Sequence, residues 1–426
     1  MPAGRSVGRA DINTETDLVD DRPVVPTDLD EFRAHVRRWL PGNLPKIGEQ
    51  SHPGEPIEEQ AARHRVLQRR LWDAHLAGIC YPREYGGLGL SREHQAAFLD
   101  ETAGFELPTI MAVTHAVILP TLLDFGSPEQ CAARVPAGLR GDEIAVQLLS
   151  EPSGGSDMAA ALTRAIRDDD IFIVNGAKIW STGAHVADYG LLLARTDPEF
   201  PKHRGLSMLI VPLDAEGVTV NPIRLGTGAS EFCEEFFDDV KIPVSNLVGE
   251  FNDGWTVASR VLFHERNMVG DSGLNDSRYT PAGEERDDPL VALVRRLGIA
   301  ADPEVRQLLG EALTLAHLKR PAVEYISEGL RSGRFPGPGA SLLKLLSSHI
   351  GYRRLEIGMQ IAGNSGIVWD GVDEESPGIQ WLGARAHTLA GGTTEMQLNQ
   401  ISERVLGLPR DPSTDRELPF SQMPHN

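Results

Sequence analysis

The chain has 426 residues, 41 of them basic and 61 acidic, for a formal net charge of −20. An acidic balance of this size argues against a general electrostatic hold on nucleic acid or on an anionic membrane, and a polyanionic ligand would need a local basic pocket. Cys80, Cys131 and Cys233 lie far apart without metal-ligand spacing, so neither a disulfide nor a zinc site is expected, and a reducing, cytoplasmic setting is.

Domains commonly hold on the order of 100–200 residues, so this length allows two or three packed units. Residues 1–26 are polar and of mixed charge, closed by Pro23 and Pro26, and read as a tail. They carry no apolar core for a signal peptide, and nowhere is there the uninterrupted apolar run of roughly 18 residues that a membrane span needs. The chain is therefore expected to be soluble. Residues 27–142 have helical spacing: Phe32, Val36 and Leu40, then Leu67, Leu71 and Leu76, until Pro82 and the pair Gly86-Gly87 break it. Runs near Gln95–Glu106 and Ala112–Leu123 complete an N-terminal helical domain.

Across 143–250 the period changes to alternation. IFIVNGAKIW follows the turn Arg167-Asp168-Asp169-Asp170, then GLLLARTD, LSMLIVPLD, GVTVNPIRL and EFFDDVKIP succeed one another at short intervals. Such a set predicts a small β-barrel or sandwich. Helical spacing returns over 251–410, from Val257 and Val261 through Leu290, Leu293, Leu308, Leu342, Leu345 and Ile350 to a last helix near Glu395–Leu406. This predicts a C-terminal helical bundle, interrupted by a polar loop insert at 270–288 and followed by a tail at 411–426. The fold class is thus α+β and multidomain, in the order helix, sheet, helix.

Two motifs carry the chemistry. QLLSEPSGGSD, Gln147–Asp157, is a turn of small polar residues whose backbone N–H groups can approach an anion or a ring edge, because Gly154 and Gly155 have no Cβ and Pro152 fixes the entry. VNGAKIWSTG, Val174–Gly183, sets the indole of Trp180 two residues before the hydroxyl of Thr182, on the same face of an extended strand. An aromatic wall beside a hydroxyl donor suits a flavin ring, although either piece alone is an ordinary loop or core strand. Other patterns say less: GGLGLS has no βαβ context, no Ser-His-Asp arrangement can be placed, and His115, His185, His203, His264 and His387 are scattered without metal spacing.

Both motifs, together with YPREYGGLGLS at Tyr81–Ser91 and LAGGTTEMQLNQISERVLGLPRD at Leu389–Asp411, resemble signatures of the acyl-CoA dehydrogenase family. The resemblance runs from about residue 28 to 411 and implies that the C-terminal unit is a four-helix bundle, with FAD between it and the β-domain. It implies that Gln147, Leu149 and Ser150 line the ring, Trp180 flanks it and Thr182 donates near N5. Ser156 would meet cofactor and CoA, and Gly392 the substrate. Thr393 and Glu395 would meet the cofactor near its diphosphate and ribose. Gln360 and Gly363 would meet the dinucleotide of a neighbouring subunit, with Asn364 where a second glycine is common.

The implied reaction removes a proton from the carbon next to a thioester and a hydride from the next carbon, which requires a carboxylate base. Many members carry that base immediately before the Gly-Thr of the C-terminal motif, where this chain has Gly391. Isovaleryl-CoA and long-chain-type members place it on an earlier helix, and Glu265 in LFHERN matches that position, with Arg266 beside it to place thioester and base. By spacing alone the pair also reads as a solvated helix couple. The Arg-Lys/Gln-x-Phe-Gly run, whose arginine grips a neighbour's flavin diphosphate in many members, is missing here. Another arginine substitutes, or an unlike chain supplies the grip in a mixed oligomer. The expected activity is FAD-dependent dehydrogenation of a branched, bulky or long acyl-CoA, with electrons passed to an electron-transfer flavoprotein. The alternatives are a flavin oxidase or monooxygenase on the same fold, and a structural partner subunit.

Overall fold

A computed structural model describes residues 22–47, 55–271, 288–368, 376–410, 412 and 417–423. Residues 1–21 of the tail and 272–287 of the insert expected at 270–288 lie outside the described residues; residues 270 and 271 continue a helix and Asp288 caps the next one.

The first unit is helical. Asp28 caps α1 (Leu29–Trp39) by accepting from the N–H groups of Asp30 and Glu31, and Phe32, Val36 and Leu40 form its buried face. That face packs with Leu67 and Leu71 of α2 (Ile57–Asp73) and Phe98 of α3 (Arg92–Glu101). Between α2 and α3 the Tyr81–Ser91 motif folds into tight turns. A Cβ at Gly87 would stand 2.3 Å from the Tyr81 carbonyl oxygen, so only glycine fits there. The helices α4 (Leu119–Phe125) and α5 (Pro128–Arg140) complete the unit, α5 with a capping box between Ser127 and Gln130.

The chain then forms one eight-stranded sheet: β1 (Ala145–Leu148), β2 (Arg164–Asp168), β3 (Ile171–Thr182), β4 (Tyr189–Arg195), β5 (Leu206–Pro212), β6 (Val218–Ile223), β7 (Phe232–Pro243) and β8 (Leu247–Val248). The order is β6-β7-β3-β2-β4-β5-β8, with β1 added in parallel to β4. Asp169 turns the β2–β3 hairpin in the left-handed region. Phe172, Val174, Val240 and Ile242 from one half of the sheet share a core with Leu192, Ala194, Leu209 and Val211 from the other, so the sheet curls over itself. Leu191, Leu193, Met208 and Ile210 face the opposite way and pack against Val117, Leu122, Val257 and Val261 from helices. Burial on both faces accounts for the continuous apolar runs of β4 and β5.

The last unit contains α6 (Gly254–Asp271), α7 (Pro289–Leu297), α8 (Pro303–Arg331) and α9 (Ser341–Ala362), followed by α10 (Pro377–Gly383), α11 (Ala386–Leu389) and α12 (Thr394–Gln400). Leu293, Val294, Val305, Ala312, Ile357 and Ile361 form its core. The helix–sheet–helix architecture expected from periodicity is borne out. Among the described residues no helix is long and apolar enough to cross a membrane. The C-terminal segment returns to the sheet: Phe420 is buried, with Arg195 Cζ 3.9 Å from its ring centroid.

Candidate active site

Strand β1 delivers Gln147, and the loop after it is fastened to β3 by a buried ion pair. Lys178, wholly inaccessible, donates from Nζ to the Leu149 carbonyl at 3.0 Å and to Glu151 Oε1 at 2.8 Å. Burial pushes the Glu151 carboxyl up, but the Lys178 ammonium and the N–H groups of Leu162 and Thr163, at 2.6 and 3.0 Å, outweigh it and hold the group ionised. Ile179 N–H donates to the Ser150 carbonyl at 3.0 Å. These bonds fix the backbone of Leu149, Ser150 and Glu151. The side chain of Leu149 belongs to the core, while Ser156 is exposed on the outer part of the loop.

Trp180 departs from simple strand alternation. It is the extra residue of a β-bulge between Ile179 and Ser181, with φ of +69°, and its indole stands 53% exposed, edge-on to Phe232. Thr182 is exposed too, and Ser181 between them turns inward to donate to Glu235. A bulge re-aims a side chain, so here it is the bulge, and not period-two alternation alone, that presents Trp180.

Helix α6 brings the proposed base. Val257, Ala258 and Val261 seat it in the core, and His264 and Arg260 reach Asp124 of α4 at 2.9 and 3.2 Å. Glu265 is thereby turned toward β1, where the side chain of Gln147 hydrogen-bonds to it. Burial raises the Glu265 carboxyl above its ordinary value, opposed by Gln147, by Arg266 and by Lys344 of α9. Burial likewise lowers Arg266 and Lys344, each partly offset by Glu265. The Gln147 Oε1 is buried without a protein partner, an acceptor available to a bound group.

The turn Gly391-Gly392 closes the cluster, with φ of +68° and +88°. Gln397 Nε2 donates to the carbonyl of Gly391 at 3.0 Å, and a Cβ on Gly392 would stand 2.5 Å from that nitrogen. A Cβ on Gly391 would stand 3.8 Å from Glu265 Oε1 and 3.7 Å from Lys344 Cε. Thr393 caps α12 by accepting from Met396 N–H, and Glu395 is exposed in the first turn.

Two groups of the sequence candidates therefore lie well apart. Gln147, Glu265, Arg266 and Gly392 gather with Gly391 and Lys344. Gln360 and Gly363 are exposed at the far end of α9; sixteen residues of helix separate Gln360 from Lys344, about 24 Å. Gln360 lines an open cleft of about 370 Å³ with Arg353, Glu356, Met359 and Trp381. Arg353 is engaged there by Glu311 at 2.7 and 3.0 Å and by Glu356 at 3.4 Å.

Sequence reading passed over Lys178, Glu151, Gln397 and Lys344. Two had a signal: Lys178 falls on the inward parity of Phe172 and Val174, and Lys344 is the lone charge in SLLKLL. Among the described residues no group of three or more His, Cys, Asp or Glu is placed to hold a metal.

The chain is similar to known proteins over most of its length. The acyl-CoA dehydrogenase N-terminal, middle and C-terminal domain models match residues 26–142, 147–240 and 291–406. The acyl-CoA dehydrogenase IpdE1 of Mycobacterium tuberculosis is 38% identical over 400 residues, 90% of this chain and 99% of that protein. Among solved structures, the Tcur3481-Tcur3483 steroid ACAD superposes with a TM-score of 0.72 at 29% identity, covering 91% of this chain and 99% of that one. The ChsE4-ChsE5 complex from Mycobacterium tuberculosis gives 0.65 at 28% identity, covering 92% and 100%. The chain belongs to the acyl-CoA dehydrogenases, a family of FAD-binding enzymes.

Proposed function

We propose that this enzyme introduces an α,β double bond into a bulky acyl-CoA thioester, with Glu265 as the general base. The observation that carries the reading is the position of Glu265: its carboxylate is hydrogen-bonded by Gln147 and lies beside a glycine at the place where many relatives carry their base. The residues around it suit FAD, since Gln147 offers an unpartnered acceptor, the Leu149–Glu151 backbone is held rigid, and Trp180 and Thr182 stand exposed on β3, whose Ile179 N–H donates to the Ser150 carbonyl. Bound FAD supplies the acceptor for the hydride that leaves the β carbon. Glu265 takes the α proton, and its burial-raised basicity brings it nearer the strength that an α-C–H demands. Arg266 contributes positive charge next to the base and the thioester. An electron-transfer flavoprotein then receives the electrons, and the reaction belongs to the cell interior.

Glycine at 391 contributes no side chain to the space between Glu265 and Lys344, which favours an acyl group with a ring or branch near the reacting carbons. The steroid ACAD among the similar structures supports a polycyclic acyl chain. A mixed oligomer is the assembly favoured for this chain. Arg353, the arginine beside Gln360, is already occupied by two carboxylates, and two of the similar structures are named as pairs of unlike chains. A related partner would then supply the diphosphate grip.

The test is anaerobic addition of polycyclic and straight-chain acyl-CoA to the purified yellow protein, expressed alone and with a related chain. Bleaching of the flavin absorbance, faster for the polycyclic thioester, supports the reading. Bleaching unchanged in Glu265→Gln removes Glu265 from the role of base. In a separate aerobic assay, peroxide accumulating in step with product, with no acceptor protein added, replaces the dehydrogenase reading with the oxidase one.

A further inference from the structure

Helix α9 starts with the segment SLLKLL, in which Leu343 is buried and Lys344 is half-buried as its single charge. An ammonium among leucines is costly to desolvate, and a leucine or methionine there would pack without that penalty. The side chain ends near the proposed base. Its Cε and Oε1 of Glu265 both come within 3.8 Å of one point, the place where a Cβ on Gly391 would stand. The turn bearing that glycine is held by Gln397. Three elements, α6, α9 and the turn before α12, thus converge on one carboxylate.

We infer that Lys344 is a positioning residue for Glu265: its ammonium holds the carboxylate on the Gly391 side and keeps it in the proton-accepting form, an inference that rests on Glu265 being the base. The groups acting on Glu265 come from every side that packs on it: Gln147 from β1 with a neutral hydrogen bond, Arg266 beside it on α6, and Lys344 from α9. Arg266 lies next to the base in sequence and moves with α6. Among the described residues Lys344 is the group that brings charge to Glu265 from a different helix, so it couples the seating of α9 to the state of the base. Because burial by itself disfavours the ionised carboxylate, the cation acts against the largest contribution at this site.

The experiment uses Lys344→Met, Lys344→Gln and Lys344→Arg in the full-length holoenzyme, in complex with its partner chain if it requires one. Flavin reduction by acyl-CoA is followed from pH 5 to 9, with difference infrared spectra of the protonated carboxyl band that Glu265→Gln abolishes. Removing the cation by either neutral variant moves the acid limb of the rate to higher pH, on the order of one pH unit. On the acid limb, well below both midpoints, this is about a tenfold loss of rate that recovers at high pH, with KM unchanged. The protonated-carboxyl band persists to correspondingly higher pH, and Lys344→Arg restores the wild-type profile. A loss of rate equal at all pH values, or an unmoved carboxyl band in a folded neutral variant, overturns the inference. Should Glu265→Gln keep the native rate, the assignment of the base fails instead, and a shifted carboxyl band would still report the coupling.

Discussion

Lys178 Nζ stands 2.8 Å from Glu151 Oε1, both side chains are buried, and the pair joins the strand that carries Trp180 to the loop that follows Gln147. Its value lies in geometry. A buried pair of this kind adds little net stability over a well-packed apolar pair, whereas removing one partner strands a charge. Glu151 in turn accepts from the N–H groups of Leu162 and Thr163, so the whole entry and exit of the loop hang on one carboxylate.

Lys178→Met is therefore expected to destabilise the protein by about 3–5 kcal/mol, because Glu151 is left buried and uncompensated. Chemical denaturation checks the value, and Lys178→Met/Glu151→Gln should recover part of the loss. If the single variant unfolds within about 0.5 kcal/mol of wild type, a range typical of surface changes, the pair does not hold the loop.

Glu265→Gln should lower the rate of flavin reduction by roughly 10²–10⁴-fold, the usual contribution of a general base. The same variant should be more stable at neutral pH. A carboxyl whose folded value is raised contributes stability that is complete below its unfolded value and is lost as pH climbs through the folded one. Glutamine cannot ionise, so it escapes that loss. Melting temperatures at pH 5 and pH 8 check the sign: the gain of the variant over wild type must be larger at pH 8.

Glu235 gives a second and separate pH signature. It is fully buried beneath the Trp180 bulge, and burial pushes its carboxyl up to about 7 despite the Ser181 hydroxyl and the Lys178 ammonium nearby. In the folded state it binds a proton that the unfolded chain releases near the ordinary value of 4.5, so stability falls as pH rises from about 4.5 to 7 and is flat beyond. Glu235→Gln should remove that slope. Thermal melts across pH 4.5 to 8 that keep the slope in the variant would assign it to another group.

Phe420→Ala should release the C-terminal segment. The ring is 5% exposed under the Arg195 guanidinium, whose own nitrogens donate to the carbonyls of Ala159, Lys202 and Arg204. Burying a phenylalanine contributes about 1.5–3 kcal/mol, and that amount sets the expected loss of local protection. Hydrogen exchange at the amides of Phe420 and Ser421, which donate to Phe200 and Pro198, should accelerate while β4 stays protected. Unchanged exchange would mean that the backbone bonds alone seat the segment.

Much of the molecule was legible in the chain itself, for a physical reason: helix and strand periods, turn glycines and short motifs are written in contiguous residues. Phe32, Val36 and Leu40 announce the buried stripe of α1, alternation announces β3, and the four motifs point to the family. The position of Glu265 could be suggested from LFHERN, but not its surroundings. What tertiary structure decided are the pairings between distant residues: Lys178 with Glu151, Phe420 with Arg195, Glu265 with Gln147, and Lys344 with the Gly391 turn. Each depends on how the sheet curls, where one bulge re-aims a strand and how α6 and α9 settle against each other. Those outcomes follow from the summed packing of the whole chain, and a local window of sequence does not contain them.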